Sequence, residues 1–290
     1  MAENYNKLAY ELRRQTVDII MSGKGGHIGG DMSVMDILMT LYFRQMNLSP
    51  ENQDSPDRDY LIMSKGHCVE ALYAVLAAKG FFSIEQVKEE YLRFGSPFIG
   101  HPNNKLPGIE MNSGSLGHGL PVGIGIALAN RMDHRENRVY VVMGDGELAE
   151  GSVWEGAMAA GMYHLDGLCA VVDRNGLQIS GSTEDVMAHE DLKKRFESFG
   201  WHVEEVVQGN DSDALNQAFD RAKQVKGKPT VVIAYTVKGY GSHIMENQVS
   251  WHHHVPDQEE YRQIVCDLEK RKPTTLEDIE SRRREAAEHE

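Results

Sequence analysis

Two short unbroken apolar runs, residues 139–143 and 168–172, flank a helical pattern at 150–163. A strand that is apolar at every position has no face for water, so it must be covered on both sides. Such runs belong to a parallel sheet held between helices. The alternation continues with a strand at 202–207, a helix at 213–226 and a strand at 230–237. Upstream, 59–64 reads as a strand leading into a helix at 68–79. Right-handed crossovers between such units predict a three-layer α/β/α fold with a mainly parallel central sheet. Residues 4–21 carry Leu8, Leu12, Val17 and Ile20 at helical spacing, and 31–42 reads as a buried helix after a glycine-rich break. Residues 95–115 are rich in Gly, Pro, Asn and Ser and form a long loop, a kind of segment often tied to function. Thr274 and Glu277 make a capping-box pattern for a final charged helix. The expectation is one domain over 1–290 that ends in a charged helical segment at about 273–290.

The charge balance narrows the partners. The 290 residues hold 44 acidic side chains against 30 Lys and Arg, a net charge of -14. That disfavours nucleic acid and anionic membranes, yet leaves room for a small anion in a local pocket. Three scattered cysteines, Cys68, Cys169 and Cys266, make neither a disulfide framework nor a thiolate metal site. Residues 1–14 lack the apolar core of a signal peptide, and no apolar run approaches the ~20 residues that span a membrane. A reduced, cytoplasmic protein is expected.

The residues with chemistry gather at predicted strand ends. Asp145 follows one strand and Asn175 follows the next, so both fall at the carboxyl edge of the sheet, where ligands bind. A carboxylate and an amide oxygen suit a hard cation such as Mg2+, which commonly shares its oxygens with phosphates. Gly146 lets the chain pass close to a phosphate, and the helix starting near Glu150 turns its positive end toward the same place. Gly-Asp-Gly and Asn175 are equally the composition of plain turns. Between 113 and 129, Gly114, Gly117, Gly119, Gly123 and Gly125 precede or open an apolar helix. There they offer bare main-chain groups to a ligand or allow close helix packing. His27, His67, His101 and His252 sit in loop or glycine-bounded contexts. Imidazoles so placed can bind phosphate, hydrogen-bond hydroxyls and move protons near neutral pH. The tract His252-His253-His254 has the composition of a transition-metal site, but it is internal and isolated.

These motifs meet in one known family. Gly144-Asp145-Gly146, followed about thirty residues later by Asn175, resembles the thiamine-diphosphate signature. Five further stretches resemble transketolase, in the family's order. They are Gly26-His27, Ser64-Lys65-Gly66-His67, Gly100-His101-Pro102, Ser113-Gly114-Ser115-Leu116-Gly117, and Lys238-Gly239-Tyr240-Gly241 leading to Trp251-His252. The resemblance implies a ketol-transferring enzyme using thiamine diphosphate with Mg2+ or Ca2+. It implies that Asp145, Asn175 and the Leu177 carbonyl hold the metal. His67, Gly146 and His252 would touch the diphosphate, and Gly114 and Leu116 would meet the cofactor through main-chain groups. His27, His101 and His252 would face the sugar as catalytic residues, and Glu150 and Glu155 would lie at a subunit contact.

Length is the main departure. Family members are commonly more than twice as long, and the rest carries the aminopyrimidine pocket with its activating glutamate. The resemblance therefore implies the N-terminal subunit of a split transketolase, completed by a separate C-terminal subunit in an α2β2 heterotetramer. Gly-Gly-His27-Ile28-Gly29 and Trp251-His252-His253-His254 depart from the family at the substrate mouth, so modified sugars stand beside ordinary pentose phosphates as substrates. Rival readings are a deoxyxylulose-phosphate synthase-like or 2-oxo acid dehydrogenase-like subunit on the same cofactor, or a non-catalytic cofactor-binding homologue. A dinucleotide-binding protein would need Gly-x-Gly-x-x-Gly right after the first strand, and it does not occur there.

Overall fold

The computed structural model describes residues 4–273. The capping pattern at Thr274 and Glu277, and nearly all of the charged segment at 273–290, lie outside the described residues. Along the chain run α1 (Tyr5–Gly23), α2 (Ile28–Thr40), β1 (Tyr60–Met63), α3 (Val69–Lys79), α4 (Ile84–Glu90) and α5 (Gly119–Met132). Then come β2 (Val139–Gly144), α6 (Gly151–Met162), β3 (Leu168–Arg174), a small hairpin of β4 (Leu177–Gln178) and β5 (Gly181–Ser182), α7 (Thr183–Met187) and α8 (Leu192–Ser198). The remainder is β6 (His202–Val206), α9 (Ser212–Gln224), β7 (Thr230–Tyr235) and α10 (Gln258–Arg271).

Five strands form one sheet in the order β1-β2-β3-β7-β6, every neighbouring pair parallel. The apolar runs divide by parity, as a pleated strand requires. Tyr140, Val142, Cys169, Val171 and Val232 pack with α1, α2, α3 and α9 on one face. Val139, Val141, Met143, Ala170, Val172 and Ile233 pack with α5, α6 and α8 on the other. This is the three-layer arrangement expected from the sequence. A third cluster ties α1 to α10 through Val17, Ile20, Trp251, Ile264 and Leu268. Among the described residues, no helix is long and apolar enough to cross a membrane.

Two local expectations are corrected. The glycine-rich break is shorter than expected: it spans residues 24–27, and α2 already begins at Ile28 rather than Asp31. Gly29 and Gly30 lie inside it as contact points: a Cβ on Gly29 would stand 2.6 Å from the Trp251 carbonyl oxygen, and one on Gly30 would stand 2.5 Å from Cys68 Sγ. Strand β3 runs on through Asp173 and Arg174, so Asp173 is a paired strand residue opposite Gly144 and Ala234. Helices α4, α7, α8 and α10 were not anticipated, since three are short and the fourth is strongly polar. A capping box does occur at α10, between Asp257 and Glu260.

One glycine sets a packing limit that can be measured. A Cβ on Gly161, near the end of α6, would stand 1.8 Å from the main-chain oxygen of Phe199. Neither backbone can yield without shifting an element. Gly161→Ala should therefore cost about 1–3 kcal/mol or more, read as a lowered midpoint in denaturant unfolding.

Candidate active site

Four loops at the carboxyl edge, following β1, β2, β3 and β7, converge on one place. Asp145 follows β2 and is almost wholly buried. Its Oδ1 accepts from Gly146 N–H at 2.9 Å, and its Oδ2 accepts from Gly176 N–H at 2.6 Å and from Arg174 at 3.1 Å. Asn175 turns its Oδ1 to Leu177 N–H at 3.1 Å. The Leu177 carbonyl accepts from Lys238 Nζ at 3.3 Å. A carboxylate, an amide oxygen and a main-chain carbonyl thus belong to one hydrogen-bonded loop, which is the donor chemistry of a hard divalent cation. Burial, and then the Asp173 charge, push the Asp145 carboxyl above the ordinary range. A bound cation there would relieve that cost.

Behind this loop lies a buried ion pair. Lys65, from the loop after β1, is bonded to Asp173 with both side chains almost fully buried. Ser33 and Thr236 also donate to Asp173. Burial alone would raise the Asp173 carboxyl, but the Lys65 charge and these hydrogen bonds outweigh it and hold it below its usual range. Lys238 is a second buried ammonium, lowered first by burial and then by the Lys65 charge. Two near-neighbour cations in a dry place favour an anion between them.

The histidines stand over these lysines. His27 lies 5.1 Å from His67, 6.4 Å from His101, 5.8 Å from His252 and 4.6 Å from His253, centroid to centroid. His67 and His252 stack at 5.5 Å. Burial lowers His27 to about 4, helped by His253, His101, Lys238 and Lys65. His252 falls to about 3 and His67 well below its ordinary value, each mainly by burial. These rings are therefore neutral imidazoles at physiological pH, able to accept a proton or hydrogen bond. The Nδ1 atoms of His27 and His252 are buried without a protein partner. Orphaned ring nitrogens, paired lysines and the oxygen loop fit a metal-bound diphosphate and a polyhydroxylated substrate.

The glycines fill supporting roles. A Cβ on Gly114 would stand 2.8 Å from His101 Cδ2, and one on Gly146 would stand 3.0 Å from Gln178 Cβ. Leu116 is half-buried, its carbonyl 3.1 Å from the His118 ring. Glu150 and Glu155 are exposed at and beyond the start of α6.

Several site residues were not singled out from the sequence. Lys65 and Lys238 lay inside recognised motifs without a role, and their signal was a lysine beside glycine at a strand end. Glu147 accepts from Ser64, from Gly117 N–H at 2.8 Å and from Gly144 N–H at 3.1 Å, locking three loops together. His253 belongs to the histidine cluster, whereas His254 turns away to Glu260.

Comparison with known proteins agrees with this geometry. The model of a family described as "Transketolase, thiamine diphosphate binding domain" matches residues 5–270. An apulose-4-phosphate transketolase subunit of Phocaeicola vulgatus is 46% identical over 89% of this chain and 92% of its own length. A 6-deoxy-6-sulfo-D-fructose transketolase subunit from a Clostridium species is 40% identical over 89% of this chain and 94% of its own. Among solved structures, transketolase from Leishmania mexicana superposes with a TM-score of 0.85 at 30% identity, covering 92% of this chain and 42% of that one. The chain thus spans about two fifths of the solved transketolase it matches, and most of the length of the relatives named as subunits. By sequence and by fold, it belongs to the transketolase family, as a thiamine diphosphate-binding domain.

Proposed function

We propose that the chain is the diphosphate-binding subunit of a split transketolase. With a separate subunit carrying the pyrimidine-binding half, it moves a two-carbon ketol unit from a ketose or ketose phosphate to an aldose. The observation that carries this reading is the meeting of four predicted histidines above a buried Asp145–Asn175–Leu177 oxygen set at one sheet edge. Asp145, Asn175 and the Leu177 carbonyl would hold Mg2+ or Ca2+. His67, Gly146 and His252 would bind the diphosphate, and Gly114 and Leu116 would meet the cofactor through the main chain.

When bound, thiamine diphosphate supplies the carbon nucleophile and the electron sink that ketol transfer needs. The protein's part is to orient and to move protons. His27, His101 and His252 would surround the sugar hydroxyls. As neutral imidazoles, His27 and His252 can take a proton from a hydroxyl and return it. The exposed Glu150 and Glu155 are suited to a subunit contact, in an α2β2 assembly located in the cytoplasm. The two relatives named as subunits are named for a sugar phosphate and a sulfo-sugar. A ketose with an anionic tail is accordingly the substrate class we assign, beyond the ordinary pentose phosphates.

The test is reconstitution of the full-length chain with a candidate pyrimidine-domain subunit. Ketol transfer is expected from the pair, and none from either chain alone. Full activity of this chain by itself would overturn the split assignment. Decarboxylation of pyruvate by the pair would favour the 2-oxo acid reading.

A further inference from the structure

Beneath the main chain at His27 lie two carboxyl groups that neither the cofactor residues nor the sugar residues use. Asp31 in the first turn of α2 and Glu70 in the first turn of α3 are both fully buried. Asp31 Oδ1 accepts from Ala71 N–H at 2.9 Å. The Tyr91 hydroxyl donates to Glu70 Oε1, and the main-chain N–H of His27 is directed at the same carboxyl. Asp31 Oδ2 and Glu70 Oε2 receive no donor from the protein, yet the two carboxyls lie within hydrogen-bonding reach of each other. A single proton between them would satisfy both oxygens.

Lys65, the cation that acts on Asp31, is bonded to Asp173. The other titratable groups facing the pair are Tyr73, Tyr91 and Cys68, each held neutral by burial first. Gly26 passes directly over Glu70. It has φ +152°, and a Cβ there would stand 2.7 Å from Glu70 Oε1. The chain enters α2 at this point, so the seat of Glu70 fixes where the His27 ring stands.

We propose that Asp31 and Glu70 share one proton and serve as a positioning unit for His27, joining the sugar side of the site to a protonation step of its own. Burial is the main cause that raises Glu70 to about 7, and Asp31 is raised as well by burial and by Glu70. Because the folded-state value is raised, the pair's contribution to stability is full in acid. It is lost as pH rises from the ordinary carboxylate range through about 7. Above that, two adjacent buried carboxylates repel, and the seat under His27 loosens. The proton pair stands independently of the transketolase reading, and only its catalytic consequence rests on that reading.

The experiment uses the full-length chain with isotope-labelled histidine. The His27 ring, lowered to about 4, stays neutral from about pH 6 to 8, so its NMR signals there report its neighbours rather than itself; a shift that comes from the facing His253 or His101 ring is identified by its loss in His253→Gln or His101→Gln and set aside. Assignment comes from comparison with His27→Asn. In the wild type, the His27 signals should shift with one midpoint near pH 7, and a protonated-carboxyl infrared band should fade over the same range. Glu70→Gln and Asp31→Asn keep the shape of the pair, and each should remove both changes. Flat His27 signals, no protonated-carboxyl band at about pH 6, or changes that persist in both variants would overturn the proposal. If a variant fails to fold, the wild-type measurements decide alone. A chain that does not bind thiamine diphosphate would fail a separate titration and leave these signals in place.

Discussion

Replacing Asp145 with alanine should abolish metal-dependent cofactor binding, weakening it by roughly 100-fold or more. Even an outer partner of a metal ligand is worth ~10–100-fold, and Asp145 supplies the one formal negative charge of the proposed set. Its neighbours Asn175 and the Leu177 carbonyl bring dipoles alone. The fold should survive, because Arg174 keeps its bonds to Thr183 and Glu184 when Asp145 is gone. Calorimetric titration of the full-length chain with thiamine diphosphate, with and without Mg2+, measures the effect. Unchanged affinity would sink the metal assignment. So would a loss of equal size with and without the metal, which would point to a general collapse of the site.

Lys65→Met should be the most destabilising of the changes considered. The methionine roughly keeps the stem's volume but leaves the Asp173 carboxylate buried without its bonded cation. Breaking one side of a buried pair typically costs about 3–5 kcal/mol, more than the intact pair contributes against an apolar substitute. The sign with pH is fixed by the same argument. In the wild type, Asp173 is held below its ordinary range, so its contribution is present above the unfolded value and lost as pH falls through the folded one. In the variant, the orphaned carboxyl is raised instead and can take up a proton on mild acidification. The deficit should therefore be largest at neutral pH and shrink toward about pH 5. Urea unfolding at two pH values checks this. A deficit independent of pH would mean that packing, not charge, is what Lys65 supplies.

The fold was legible wherever burial on two faces leaves an unbroken apolar run, as at 139–143 and 168–172. It was less legible where geometry depends on a distant contact. Gly29 and Gly30 read as a break because glycine is a poor helix former. The reason they stand inside α2 is the approach of Trp251 and Cys68, some 40 to 220 residues away in sequence. That Asp145 and Asn175 fall at the carboxyl edge was legible from strand-end position, and the four histidines that cluster there stood out by their motifs. What local reading lacked was pairing. Nothing near Lys65 announces Asp173, and nothing near Asp31 announces Glu70, since each partner arrives on another element. A buried charge declares itself in a sequence only when its counter-charge is known, and that is a property of the fold.

The strand order also governs how the protein comes into being during synthesis. β7 sits between β3 and β6, yet it is made after both. While the chain is emerging from the ribosome, β3 presents an open edge of unpaired main-chain groups, and β6 has no neighbour at all. Neither can be satisfied until residue 235 is out. At roughly 5–20 residues per second, the stretch from the end of β3 to the end of β7 takes several seconds. Through that interval the apolar edge of β3 is the nascent chain's main hazard for pairing with another copy, and it is the natural point for a chaperone to act.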